Sequence, residues 1–406
     1  MKWLVWFMGG LLCVLEMMFR NAPSVMTREL MEYYSISSTQ LGLLVSSYYY
    51  PYVLLQVPGG IILDQWGTRR MSLFITTIST LAFVLFASGI SLWTAYIGRV
   101  LLGFAASCAF ITALKIASQR FNPKQFSTMS GLTNMMLTIG GIVAGYPLAY
   151  LVIQFGWQKS CFILSGIGIV WTILIFFAMK DKNTQRMPEL HVGTFTRRIY
   201  RLAKDTALLR IGLVSACLYL PFSAFAELWA VPYLTTVYNL PTTQAASISV
   251  LLYLGSAMGS LFLTPLLRVV GSCIAGLRAT ALSIMILFAV MHVLSPLPYI
   301  GVITLFLVLG IVATGQMLVF SWAHEGAAEN QQGMRLGFVN AITMTAPLLI
   351  QPLLGYLLDC FWTGELSAAG VKIYTACAYN NAILLFPIFC ALALLLLIVK
   401  NKPMPL

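Results

Sequence analysis

The chain has 406 residues, 59% of them hydrophobic and 9% charged, with a mean hydropathy of +0.87. Soluble domains carry charge on roughly a quarter of their residues, so this composition excludes a cytosolic globular enzyme. Lys and Arg outnumber Asp and Glu by 24 to 12, an excess that suggests nucleic acid in a soluble protein but can be pure topology in a membrane protein.

Apolar stretches of about 20 residues, long enough to cross a bilayer as helices, recur along the chain. The first, 3–23, mimics a signal peptide, but no cleavage site leads into a soluble domain, so it reads as a spanning helix. The others fall at 39–62, 71–90, 94–116, 128–153, 160–179, 209–237, 243–267, 275–295, 298–321, 334–357 and 374–399, twelve in all. One long polar segment, 180–206, contains KDKNTQR and RRIYR and divides the chain into 1–179 and 207–406, each with six spans. With the N-terminus cytoplasmic, nineteen basic residues fall at inner ends and loops and three (Arg28, Lys159, Lys372) outside. The positive-inside rule therefore places both termini in the cytoplasm and leaves a nucleic-acid reading nothing to explain. RRIYRLAK reads as an amphipathic stretch lying on anionic lipid.

Eight cysteines form no CxxC and no Cys/His cluster, and six lie in apolar runs, which makes them small core residues rather than metal ligands. Cys360 and Cys377 flank one polar loop, with a free pair the expected state.

Between the second and third spans, Gly60-Ile-Ile-Leu-Asp64-Gln-Trp-Gly67-Thr-Arg69-Arg70 matches G-x-x-x-D-x-x-G-x-R-R. This resembles the signature loop of the major facilitator superfamily, and twelve spans in two halves extend the resemblance over the chain. It implies an all-α membrane protein whose twelve transmembrane helices form two pseudo-symmetric six-helix bundles. It also implies a cytoplasmic gate in which Gly60 lets helices approach, Gly67 turns the chain and Asp64 faces the eleventh helix. Arg69 and Arg70 either join that gate or only orient the protein. The matching loop of the second half keeps just Arg268 and Gly271, so any latch is one-sided. Arg99-x-x-x-Gly103 in the fourth span is similar to a pattern some members carry there. Gly140-Gly-Ile-Val-Ala-Gly145-Tyr-Pro147 departs from the antiporter motif and reads as close helix packing. The run Arg20-Asn-Ala-Pro23, Tyr48-Tyr-Tyr-Pro51-Tyr52 with Gln56-Val-Pro58-Gly59, and Glu227-Leu-Trp229-Ala-Val-Pro232 resemble the branch of the lysosomal dipeptide transporter and of bacterial organic-anion symporters.

Ionisable groups inside a bilayer usually face a cavity and serve a purpose. Four lie well within spans: Glu16, Arg20, Arg99 and Glu227. Glu16 and Arg20, at i and i+4, share a helix face and can neutralise each other. Tyr219, Ser223 and Glu227 repeat every four residues on the seventh span, as do Tyr48, Tyr52 and Gln56 on the second. Asn340 and Gln316 are uncharged candidates that serve equally well as helix-to-helix hydrogen bonds. His292 reads as an interface residue, and His324 and Glu325 are given no transport role.

These residues point to a secondary active transporter moving a small carboxylate-bearing solute by alternating access: an organic anion, a polycarboxylate siderophore, an amino acid or a dipeptide. Arg20 and Arg99 are expected to hold the carboxylate, since a guanidinium engages it bidentately. Tyr48, Tyr52, Gln56, Tyr219, Glu227 and Asn340 would line the site, and Glu16 or Glu227 would carry a coupled proton. The rivals are an uncoupled facilitator and a drug or metabolite efflux pump. With no phosphate-binding glycine loop and no metal cluster in the sequence, neither an enzyme, nor a cofactor, nor ATP-driven pumping is expected. The resemblance further implies a monomer in a bacterial inner membrane.

Overall fold

The computed structural model of the chain describes residues 2–179, 200–324 and 332–398. The remaining part of the 180–206 segment and Glu325 lie outside these, as do the side chains of Gly60, Asp64 and His324. Among the described residues the secondary structure is helical apart from one isolated bridge, Leu366 to Lys372. Eleven helices are long and apolar enough to cross a membrane: Lys2–Val25, Thr68–Ser88, Leu92–Arg120, Thr128–Phe155, Trp157–Ala178, Thr206–Val237, Thr242–Leu263, Cys273–Val293, Tyr299–Ala323, Met334–Cys360 and Ala376–Ile398. The stretch expected as a continuous second span is instead a pair of helices, Ser38–Ser46 and Tyr49–Trp66, the second rich in Tyr, Gln and Pro. It completes the twelve-pass order read from the sequence.

The first span passes into a 3₁₀ turn at Ala22–Val25, the fourth breaks between Ala106 and Ala109, the seventh becomes π-helical over Pro221–Trp229, and the tenth tightens at Thr314–Met317. Spans three, six and nine run unbroken. Spans two, five and twelve are interrupted as well, at Ser47–Tyr48, Ala144–Gly145 and Ile383–Leu384, so irregular backbone occurs in both halves, which a membrane protein tolerates where that backbone is buried in protein or lines a cavity. Proline contributes locally: Pro23 and Pro221 open the irregular stretches of spans one and seven, where their missing N–H removes a helical bond.

At the end holding residues 22–38 and 360–376 the two halves meet directly. Helix Ser38–Ser46 packs along the eleventh span so closely that a Cβ on Gly42 would lie 2.6 Å from the Gln351 carbonyl oxygen. Asp359 binds the contact: Oδ2 accepts from the Thr39 backbone N–H at 3.1 Å and its hydroxyl at 2.5 Å. Its Oδ1 accepts from Lys372 Nζ at 2.8 Å and the Tyr374 hydroxyl at 2.7 Å. The Ser38 N–H donates to Tyr374 at 3.1 Å. Spans five and eight close the opposite seam, where Gly141 faces the Tyr253 ring and Gly145 faces Val250.

At the other end, Gly67 turns the chain at φ 80°, a backbone that glycine adopts without strain. Arg69 donates to the Phe176 carbonyl at 2.9 Å and stacks on that ring, and Arg70 is exposed. Lys115 Nζ caps the second span by donating to the Leu63 carbonyl at 3.2 Å. His292 Nδ1 sits 2.9 Å from the Asn380 carbonyl near the closed end, and Cys360 and Cys377 are free and exposed.

Candidate functional site

Spans one, two, four and seven bring the four intramembrane charges together, and each is nearly or fully buried: Glu16 4%, Arg20 4%, Arg99 1% and Glu227 1% exposed. The π-helical stretch sets the position of Glu227. Extra residues per turn rotate the following side chains off the regular stripe, so Ser223 turns back to the Tyr219 carbonyl at 3.2 Å while Glu227 meets the first span. Gln351 of the eleventh span holds this irregular backbone: its Nε2 donates to the Ser223 carbonyl at 2.7 Å, and Trp229 Nε1 donates to the Gln351 carbonyl at 3.1 Å.

The central contact joins the two halves. Arg20 Nη2 donates to Glu227 Oε1 at 2.5 Å and Nε to Oε2 at 3.2 Å, a two-pronged pairing suited to a planar guanidinium. Tyr49 completes it, its hydroxyl donating to Glu227 Oε2 and accepting from Arg20 Nε at 3.1 Å. Glu16, the expected partner of Arg20, stands back at 3.8 Å and instead accepts from the Tyr48 hydroxyl at 2.5 Å. Tyr48 stacks with Tyr52 at 5.5 Å and lies under both guanidiniums, 5.3 Å from Arg99 and 5.6 Å from Arg20. Tyr219 faces the same cluster, within electrostatic reach of Arg20, Glu227 and Tyr52. Gln56 and Asn340 are half-buried, and the buried Gln56 Oε1 has no hydrogen-bond partner in the protein.

Arg99 is placed differently from Arg20. Nη1 donates to the Phe19 and Arg20 carbonyls at 3.3 and 3.2 Å, and Nη2 to the Val45 carbonyl at 2.9 Å. These are last-turn carbonyls of helices that end at Asn21 and Ser46, which lack intrahelical partners and attract a cation. The Arg99-x-x-x-Gly103 spacing has a matching cause, because a Cβ on Gly103 would collide with the Tyr48 carbonyl at the break of the second span.

Sequence reasoning missed Tyr49, Gln351 and the pair Asn21–Tyr253, where Asn21 Nδ2 donates to the Tyr253 hydroxyl at 2.9 Å across the halves. Tyr49 carried a signal in Pro51, whose missing N–H forecasts a break upstream and a new facing for the tyrosines that follow. Gln316 makes a helix-to-helix bond, donating to Ser215 Oγ at 2.6 Å, where the Thr343 hydroxyl also donates at 2.6 Å. Among the described residues no group of three His, Cys, Asp or Glu side chains could hold a metal ion.

The arrangement holds one carboxylate on a buried guanidinium between the two halves, and comparison with known proteins gives that geometry its setting. The Major Facilitator Superfamily profile matches residues 8–350. The chain is 26% identical over 187 residues to the hexuronate transporter of Bacillus subtilis, a match covering 45% of this chain and 43% of that protein. It is 24% identical over 210 residues to a probable galactarate/D-glucarate transporter of Escherichia coli, covering 50% of this chain and 45% of that one. The chain thus spans somewhat under half the length of these relatives. The fold superposes on a bacterial homologue of the human lysosomal transporter Spinster, captured inward-facing and unoccupied. The TM-score is 0.79 at 13% identity, over 98% of this chain and 96% of that one. A profile match across most of its length, on helices that pair in two halves around buried charge, makes this chain a multi-pass member of the major facilitator superfamily, a family of transporters and not of enzymes.

Proposed function

We propose that this protein is a proton-coupled secondary transporter of sugar-acid-type organic anions, working by alternating access around the Arg20–Glu227 contact. The observation that carries the reading is the two-pronged pairing of Arg20 with a carboxylate from the opposite half. A substrate carboxylate has the same shape and can take the same donors. Relatives named for hexuronate and galactarate supply the polyhydroxy acid class.

The steps follow from charge. With the substrate on Arg20, Glu227 loses its counter-ion in a buried setting, where an unpaired charge is the costlier form, and takes up a proton while keeping its bond to Tyr49. The contact between halves is then broken without leaving a charge unmatched, and the bundles are free to rock. Release reverses the exchange. Tyr48, Tyr52, Tyr219, Gln56 and Asn340 offer phenol and amide groups to the substrate hydroxyls, with Glu16 tuning Tyr48. Arg99 acts as a positioning residue that fixes the breaks of spans one and two. Gly60, Asp64, Gly67, Arg69 and Arg70 form the gate at the terminal end.

In liposomes holding the purified chain, an inward proton gradient should concentrate labelled galacturonate. Glu227→Gln should abolish concentration but keep exchange of external for internal galacturonate. Uptake that ignores the gradient would sink proton coupling and favour an uncoupled facilitator.

A further inference from the structure

Two guanidiniums lie in the middle of the spans, and only one is free to change partners. The buried charged side chains among the described residues are Glu16, Arg20, Arg99, Glu227 and Arg335. Arg335 stands at the start of the eleventh span, 3.9 Å from Asp205, at the terminal end and away from the cluster. Arg99 has three carbonyls on its two terminal nitrogens, leaving only its buried Nε without a hydrogen-bond partner, and these carbonyls belong to helix ends that would be left bare if the guanidinium moved. Arg20, by contrast, holds a side-chain carboxylate that can leave.

We infer that the site selects polyhydroxy monocarboxylates over dicarboxylates of the same carbon skeleton, because Arg20 is its one exchangeable cation. This rests on the sugar-acid reading above and separates the two substrate types found among the relatives. A hexuronate presents one carboxylate, to Arg20, and leaves only hydroxyls for the tyrosines, Gln56 and Asn340. An aldarate brings a second carboxylate to a neutral wall already shared with Glu16, whose carboxyl lies 3.8 Å from Arg20. Apart from Arg99, whose terminal nitrogens are held by the backbone carbonyls, that charge has no counter-ion among the described central residues, and burying it unpaired is unfavourable.

The test is counterflow of labelled galacturonate in liposomes of the full chain, with unlabelled galacturonate or galactarate as competitor. Galactarate should need on the order of tenfold higher concentration for half-inhibition. Half-inhibition at concentrations within about twofold of each other would overturn this inference and leave the sugar-acid reading standing. If galacturonate shows no counterflow, both fall together. Arg99→Lys adds a second arm: thermal stability should drop while the ratio between the two acids stays at its native value. A ratio changed by Arg99→Lys would overturn the assignment of Arg99 as a non-exchangeable cation; if that variant does not fold, the native ratio still decides.

Discussion

Two carboxylates join the halves of this molecule, and they are held in opposite ways. Asp359, at the closed end, receives four donors from Thr39, Lys372 and Tyr374. Its side chain keeps 13% exposure, and Lys372 is 30% exposed, so water can replace each bond as it breaks. Glu227, at the centre, is 1% exposed and depends on one guanidinium and one phenol. A contact that water can take over is suited to open and close by rigid-body motion. A contact that water does not reach opens only when something else supplies the missing charge, a requirement that in the proposed cycle would couple a ligand to the motion.

The comparison breaks most visibly at the centre. Arg20→Ala removes the donor set that, among the described residues, grips Glu227 in two places, and galacturonate binding should fall by at least a hundredfold in a thermal-shift or equilibrium assay. The same variant should lose roughly 3 kcal/mol of stability, reduced where Glu227 takes up a proton. Retained affinity would refute the carboxylate role of Arg20. At the closed end the effect should be smaller and of a different kind. Asp359→Asn keeps the shape but weakens bonds from a charged acceptor, each contributing about 1.5–3 kcal/mol when charged and about 1 when neutral. Paired spin labels on either side of that end should show a new, longer distance population, with galacturonate affinity altered less than tenfold. An unchanged distance distribution would show that helix packing around Gly42 closes that end without the help of Asp359.

Much of this was legible in the sequence, because the bilayer makes charge conspicuous. Glu16, Arg20, Arg99 and Glu227 were found as charges in apolar runs, and the structure brings all four into one cluster. Partner choice was not legible. The i, i+4 spacing pairs Glu16 with Arg20, yet Arg20 turns to a residue 207 positions away, because the cross-half packing and the π-helical stretch around Glu227 decide which carboxylate comes nearer. The tyrosine stripe on the second span assumed a continuous helix; the break before Tyr49 turns both Tyr48 and Tyr49 inward. Arg99 meets the same sequence criterion as Arg20, a charge in an apolar run, yet its terminal nitrogens go to backbone carbonyls. The difference lies in two helix ends whose bare carbonyls depend on where neighbouring spans stop, and that is fixed by tertiary packing.

The smallest effect belongs to a contact that stays inside one half. Ser215 accepts from Gln316 and Thr343, tying spans seven, ten and eleven together, and Thr343 keeps a second acceptor in the Val339 carbonyl at 2.9 Å. Ser215→Ala therefore orphans mainly the Gln316 amide. Interhelical hydrogen bonds in membranes average about 0.6 kcal/mol, so the melting temperature should drop by a few degrees at most. In a cycle where each bundle moves as one body, as proposed, the ratio of galacturonate to galactarate half-inhibition and the response to a proton gradient should both stay at native values. If Ser215→Ala instead altered either, the second half would not be rigid, and contacts inside that bundle would take part in coupling as well as in holding it together.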